Sequence, residues 1–208
     1  MSLPSTVTAV DFDEVIRKRR MVRSFRADPV DAGALERILY AARRAPSAGF
    51  TQGWGFLVLQ GDDETARFWS ASFPQGRDDF GYPGLFNAPV IVIPCSNEAA
   101  YLDRYAEPDK GWTDRDPNRW PVPYWHIDTG FASMQLQLAA VNEGLGCLFF
   151  GIFGERIDAV RAAFGIPPTF MPIGTIAMGH PAGDDAPSPS LQRGHKPVDE
   201  VIHFGTWN

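Results

Sequence analysis

The chain has 208 residues, 44% of them hydrophobic and 21% charged, an ordinary globular composition with room for one large domain or two small ones. Its net charge of -6 argues against a general nucleic-acid binder, which usually carries a basic field. The longest apolar run, "APVIVIPC", is too short to span a bilayer, and "MSLPSTVTAVDFDEVI" lacks the basic-then-apolar order of a signal peptide. A soluble, cytoplasmic protein with no membrane partner is the expectation. Cys95 and Cys147 sit in apolar runs and read as reduced core residues. No CxxC or His/Cys spacing suggests a metal.

In chain order, residues 12–20 read as a short helix with Phe12, Val15 and Ile16 on one side. A clearer helix follows, with Asp31 as N-cap, Leu35, Ile38, Leu39 and Ala42 as its stripe, and Pro46 as its stop. Residues 54–60 read as an apolar strand, 63–73 as a helix and 88–95 as a second buried strand. Residues 101–126 are rich in Pro, Trp, Tyr and charge without a sustained period, and hold three of the six tryptophans. A long irregular segment of this kind is often a lid or binding loop. The longest helix is expected over 127–143, where Ile127, Phe131, Met134, Leu138 and Val141 recur at helical spacing and Gly144 ends it. Then come a strand at 145–151, an amphipathic helix at 155–165 and a fourth strand at 171–181. Residues 182–208 begin as a loop and end in "VIHFGTW", read as a short strand. Alternating strands and helices without a repeat or linker predict one α/β or α+β domain over 1–208, with a lid at 101–126 and a C-terminal arm at 182–208.

"RKRRMVRSFR", residues 17–26, is strongly basic in an acidic chain. Arg19, Arg20 and Arg23 stand at a helix end, where cations oppose the negative end of the macrodipole. A solvated helix end, a nucleic-acid patch and a socket for one phosphate are all open readings. Arginine suits the last through its planar fork of donors. "RRAPSAGFTQGW" joins a helix to a strand through small residues, and such a turn lets the backbone approach a ligand. No G-x-S-x-G, P-loop or GxGxxG motif is present, so neither a hydrolase triad nor a separate Rossmann site is expected.

Together these stretches resemble the nitroreductase family of flavoenzymes. "RRMVRSF" is similar to its RRxxRxF motif and "APSAGFTQGW" to its APSxxNxQPW segment. "EGLGCLFFG" resembles its GLG strand, "IAMGHP" its strand ending in GxP, and "RGHKPVDEVIHFGTW" its C-terminal tail. The segments fall in the family's order. The resemblance implies an α+β sandwich, a central, mostly antiparallel sheet flanked by helices, in an intertwined homodimer. It implies FMN as cofactor, with NAD(P)H and then a nitroaromatic, quinone or similar acceptor using one site in ping-pong order. By the same resemblance the cofactor-binding set is Arg19, Arg20, Met21, Arg23, Pro46, Ser47, Ala48, Gln52, Phe149, Phe150, Gly151, Arg193 and His195. Arg19 and Arg23 lead on the phosphate, and Arg193 joins from the tail with His195 or Lys196 beside it. No catalytic acid is required, because solvent can protonate the product; His126 and Asp128 are the nearby proton-transfer candidates, more simply read as capping the long helix.

Three positions depart from the family pattern. Phe50 stands at the usual Asn, Gly53 at the Pro before Trp, and Met21 at the frequent Ser. Phe50 cannot supply an amide to the flavin's pyrimidine edge, though Gln52 can. A deazaflavin, a binding module without turnover, and a dehydrogenation or dehalogenation on the same fold are the alternatives. Tyr105, Trp112, Trp120, Tyr124 and Trp125 either stack on an aromatic substrate or pack on a partner subunit. Asp109, Lys110, Asp114, Arg115 and Asp116 are the candidates for its polar groups.

Overall fold

The computed structural model describes residues 11–185 and 187–207. The opening stretch read as lacking a signal peptide lies largely outside them, as do Ala186 and Asn208 of the C-terminal arm. Six helices and five strands are described: α1 Phe12–Lys18, α2 Ala32–Arg43, β1 Trp54–Gln60, α3 Gly61–Ser72, β2 Val90–Ser96, α4 Glu98–Ala106, α5 Tyr124–Asn142, β3 Gly146–Phe150, α6 Ile157–Phe164, β4 Met171–Pro172 and β5 Thr175–Gly179.

The sheet runs β1-β2-β5-β3 with every pair antiparallel, and β4 pairs with the end of β2 at Cys95 and Ser96. β2 is buried along its whole length, which is why its sequence is continuously apolar instead of alternating. Its period of two still sorts the side chains. Val90 and Val92 join Leu35, Ile38, Leu136 and Ala140 under α2 and α5, whereas Ile91, Ile93 and Cys95 join Phe68, Trp69 and Val160 under α3 and α6. Helices therefore cover both faces of the sheet.

Local chemistry sets the helix ends. The Asp31 carboxylate accepts from the Ala34 N–H at 2.8 Å, the expected N-cap. Gly144, with φ of 78°, turns the chain out of α5. Gly146 then lies so close to Val22 that a Cβ would collide with it, and would crowd Pro181. The GLG stretch thus serves a turn and a close packing.

Three elements differ from expectation. Residues 101–126 are irregular only over 107–123: Asn97 accepts from the Ala100 N–H and starts α4, and α5 begins at Tyr124. The single strand expected at 171–181 is two, broken at Ile173 and Gly174, where Gly174 (φ 159°) makes room for the Phe149 ring. "VIHFGTW" forms no strand, because no neighbouring strand pairs with it among the described residues; it follows a short 3-10 turn at Val198–Glu200.

α5 shows the least expected packing. Its buried face carries Asp128, Thr129, Ala132, Ser133, Leu136, Gln137 and Ala140, while Phe131 and Met134 of the apolar series are 51% and 42% exposed. Its buried hydroxyls are satisfied within the helix, whereas Asp128 bonds outside it. Thr129 Oγ1 donates to the Trp125 carbonyl and Ser133 Oγ to the Thr129 carbonyl, each at 2.7 Å.

Candidate functional site

The loop between α2 and β1 is the most tightly determined irregular segment near the predicted site. Gly49, Phe50 and Gln52 have φ of 61°, 54° and 52°. For a bulky residue such as Phe50 the left-handed region costs about 1–2 kcal/mol. Four hydrogen bonds to the loop, and a fifth that fixes Asp128, hold it there. Asp128 Oδ2 accepts from the Ala48 N–H at 2.8 Å and from the Tyr101 hydroxyl at 2.7 Å. Arg104 Nε donates to the Gly49 carbonyl at 2.9 Å and Thr51 Oγ1 to the Ala48 carbonyl at 2.6 Å. Ser47 Oγ accepts from the Gln52 N–H at 2.9 Å. Asp128 and Tyr101 are both buried. Burial first, and then the bond to Asp128, push the Tyr101 phenol far above its ordinary range, so it stays a donor. A Cβ on residue 53 would strike the Tyr101 ring, which accounts for Gly53.

Neither proton-transfer candidate caps α5, whose N-cap is Pro123. Asp128 pins the loop instead. His126 Nδ1 lies 2.8 Å from Ser96 Oγ, and burial lowers the imidazole below its ordinary value. Ser96 is 1% exposed and cannot serve as a nucleophile.

The aromatic residues of 101–126 pack on one another. Trp120 is the hub, with ring centroids 4.5 Å from Tyr105, 5.4 Å from Trp112, 5.4 Å from Tyr124 and 6.0 Å from Tyr101. The charges there are paired internally as well: Asp109 with Arg104, Asp114 with Arg119 and Arg115 with Asp103. Hydrogen bonds from those arginines hold the Asp109 and Asp114 carboxyls below their usual range. This satellite core, through Tyr101, Tyr105 and Arg104, braces the 47–53 loop.

The basic stretch divides. Arg19 is half-buried at the C-terminal end of α1, with no side-chain hydrogen bond or ion pair among the described residues. Arg20 Nη1 binds Asp185 Oδ2 at 2.7 Å. Met21 bridges to Cys147 beside β3. The Arg23 N–H donates to Asp185 Oδ1 at 3.1 Å, its Nη1 to the Met21 carbonyl at 3.1 Å, and its guanidinium lies 5.2 Å from the Tyr82 ring centre. Asp185 and Tyr82 are the participants that sequence reasoning missed.

The remaining predicted residues are placed as follows. Phe150 stacks on Trp69 at 5.7 Å with 7° between the planes and Phe149 packs in the opposite core; both are half-buried, and Gly151 is exposed. Pro46 is exposed, and the Ala48 N–H is committed to Asp128. Arg193 and His195 are exposed on the tail, and their side chains make no hydrogen bond or ion pair among the described residues. A cavity of about 640 Å³ beside α3 is lined by Trp69, Phe73, Arg77 and Phe86, and none of the predicted set is in its lining. Arg23 lines another cleft of about 370 Å³ with Tyr82 and Asp185, and Arg20 a third of about 240 Å³. One chain therefore presents the predicted residues as separate groups.

Residues 16–180 match the family model described as the nitroreductase family. An NADH dehydrogenase of Thermus thermophilus is 27% identical over 216 aligned positions, covering 96% of this chain and 98% of that protein. Among solved structures, a nitroreductase of B. subtilis superposes with a TM-score of 0.73 at 19% identity, covering 95% of this chain and 75% of that one. A nitroreductase-like protein of Exiguobacterium sibiricum, solved in complex with FMN, superposes at 0.70 with 23% identity, covering 96% and 100%. The antiparallel sheet clad by helices is thus the nitroreductase fold, of α+β class, and the chain belongs to the nitroreductase family of oxidoreductases.

Proposed function

We propose that the chain is an FMN-dependent oxidoreductase that passes electrons from NAD(P)H to a nitroaromatic, quinone or similar small acceptor in ping-pong order, as a homodimer in the cytoplasm. The observation that carries this reading is the pinned 47–52 loop in a chain of this family. Its turn leaves ligand-binding groups unspent. Ser47 Oγ accepts from Gln52, so its own proton is free to donate outward. The Gln52 side chain is exposed and unpartnered among the described residues. Arg19 keeps its guanidinium for a phosphate. These groups fit FMN: two neutral groups for a polar ring edge and a cation for the phosphate.

Bound FMN supplies the two-electron redox chemistry, and the chain supplies binding, orientation and exclusion of water. Arg19, and Arg23 from the same basic stretch, would hold the phosphate. Ser47 and Gln52 would bond the polar edge of the ring system. Gly151, exposed and without a side chain, would let the ring system approach the backbone. In a homodimer, Arg193 and His195, which are exposed on the tail, would meet the phosphate from the second subunit. No helix among the described residues is long and apolar enough to cross a membrane.

The test is the visible spectrum of the purified protein before and after anaerobic NADH or NADPH. Flavin bands that bleach support the reading and start the search for the acceptor. A flavin that stays oxidised favours another donor or a module without turnover. No flavin, and no uptake of added FMN, overturns the cofactor assignment.

A further inference from the structure

The cavity beside α3 is built on one face of that helix. Asp62, Thr65, Ala66, Trp69, Ser70 and Phe73 line it, and their steps of three and one residues are those of a single helical stripe. Eleven residue steps of helix give this wall a length of about 16 Å. Ala27, Ala66 and Ala88 leave the recess open, while Trp69, Phe73 and Phe86 crowd one end of it. At about 640 Å³ it has the size of a small-molecule site.

The crowded end is both aromatic and cationic. Trp69 stacks on Phe86 with ring centroids 4.3 Å apart, and Phe73 meets Phe86 edge-on at 6.3 Å. The Trp69 Nε1 is buried and has no acceptor among the described residues, an unmet donor in the wall. Arg77 is the one cation in the described lining, and its guanidinium lies 6.0 Å from the Phe86 ring centre. Its Nε donates to the Pro83 carbonyl at 3.1 Å and its Nη2 to Asn87 Oδ1. Neutral acceptors thus hold the side chain, while Nη1 and the charge stay unspent. No carboxylate pairs with Arg77 among the described residues. Asp62, the one carboxylate of the described lining, stands eleven residues before Phe73, at the other end of the helix.

We propose that this cavity binds a small aryl carboxylate, its ring against Trp69, Phe73 and Phe86 and its carboxylate on Arg77. A guanidinium already held by two bonds loses little freedom on meeting an anion. The half-buried rings beside it favour a flat apolar body. Asp62 sets the polarity, because it opposes a second anionic group at the far end. The compound is held as a ligand and not as an electron acceptor: none of the residues proposed to bind FMN lines the cavity, so the site does not depend on the flavoenzyme reading.

The probe is 2-naphthoate, titrated by calorimetry into the protein as purified, before and after FMN is added, with 2-naphthamide as its neutral counterpart. Saturable binding is expected, with the same Kd in both titrations and with the amide bound at least about tenfold more weakly, the worth of a charge-assisted bond. Arg77→Gln should weaken naphthoate about 10–100-fold and leave the amide unchanged, and Arg77→Lys, which keeps the charge, should recover part of the loss. Ala66→Phe fills the recess from an exposed position and should abolish binding of both probes with Tm held. Naphthoate that FMN displaces sits at another site and overturns the proposal. So does wild-type affinity in Ala66→Phe, equal affinity for naphthoate and the amide, or no saturable binding at millimolar probe. A Tm that falls in Arg77→Gln with naphthoate affinity unchanged makes Arg77 a structural tie to Asn87 and overturns it as well.

Discussion

Arg19 and Arg20 are adjacent in sequence but have different tasks. Arg20 is committed to Asp185, whose side chain is only 4% exposed, so Arg20→Ala leaves that carboxylate with the Arg23 N–H as its remaining donor. The expected result is a loss of about 1 kcal/mol, a Tm fall of about 2–4 °C for a chain this long, and a Kd for FMN within about twofold of wild type. Arg19→Ala should do the reverse. Tm holds, and FMN binding weakens about 10–100-fold, the worth of a charge-assisted bond to phosphate. Calorimetry and fluorescence titration separate the two, and equal losses of affinity would show that Asp185 releases Arg20 to the ligand. The basic stretch itself was legible from the sequence. The division of labour was not, because Asp185 stands 165 residues away and nothing local marks it as a partner. The thiols are a simpler case. Burial pushes Cys95 up to about 11 and Cys147 to about 12, so both stay protonated and shielded at pH 8. A disulfide-exchange reagent should titrate neither in the native protein and both once it is unfolded.

At the scale of elements, the 47–53 loop and α5 are held by one carboxylate. Asp128→Ala strands the Ala48 N–H and the Tyr101 hydroxyl together, each unpaired group costing about 1–3 kcal/mol. Asp128→Asn keeps an acceptor and should cost about 1 kcal/mol, near the cost of Tyr101→Phe. Urea denaturation checks the order, and an Asp128→Ala loss no greater than that of Tyr101→Phe would mean that water replaces the bonds. This network was out of reach of periodicity. The apolar spacing of α5 located the helix correctly but not the face turned to the sheet. Its serine and threonine hydroxyls bond inside the helix, and such residues can be buried where Phe131 and Met134 are not. α4 was missed for a different reason. Its nine residues run into the Pro-rich stretch, too few turns for a period to register. The β-strands were legible because β2 and its neighbours have continuous apolar runs, and the expected C-terminal strand is missing because none of the described strands pairs with it.

Large apolar side chains are exposed on two helices and the tail. α1 shows Phe12 and Ile16, α5 beside it shows Phe131 and Met134, and the tail shows Leu191, Val198, Val201, Ile202, Phe204 and Trp207. Contiguous apolar patches on soluble proteins mark interaction sites. We propose a second copy of the chain as the occupant, which also gives the tail a role, because the Arg193 and His195 side chains have no partner within the described chain and the proposed FMN site wants more cations than Arg19 supplies. Phe131→Glu places a charge in the middle of the α5 patch without touching the inward Ala132, Leu136 and Ala140. The expected outcome is a monomer by sedimentation, a helical circular dichroism spectrum like that of wild type, and a Kd for FMN raised at least about tenfold, the worth of one lost charged contact. A variant that stays dimeric shows that the patch faces something else. A monomer that binds FMN as tightly as wild type shows that one chain completes the site and that the tail arginine has no part in it.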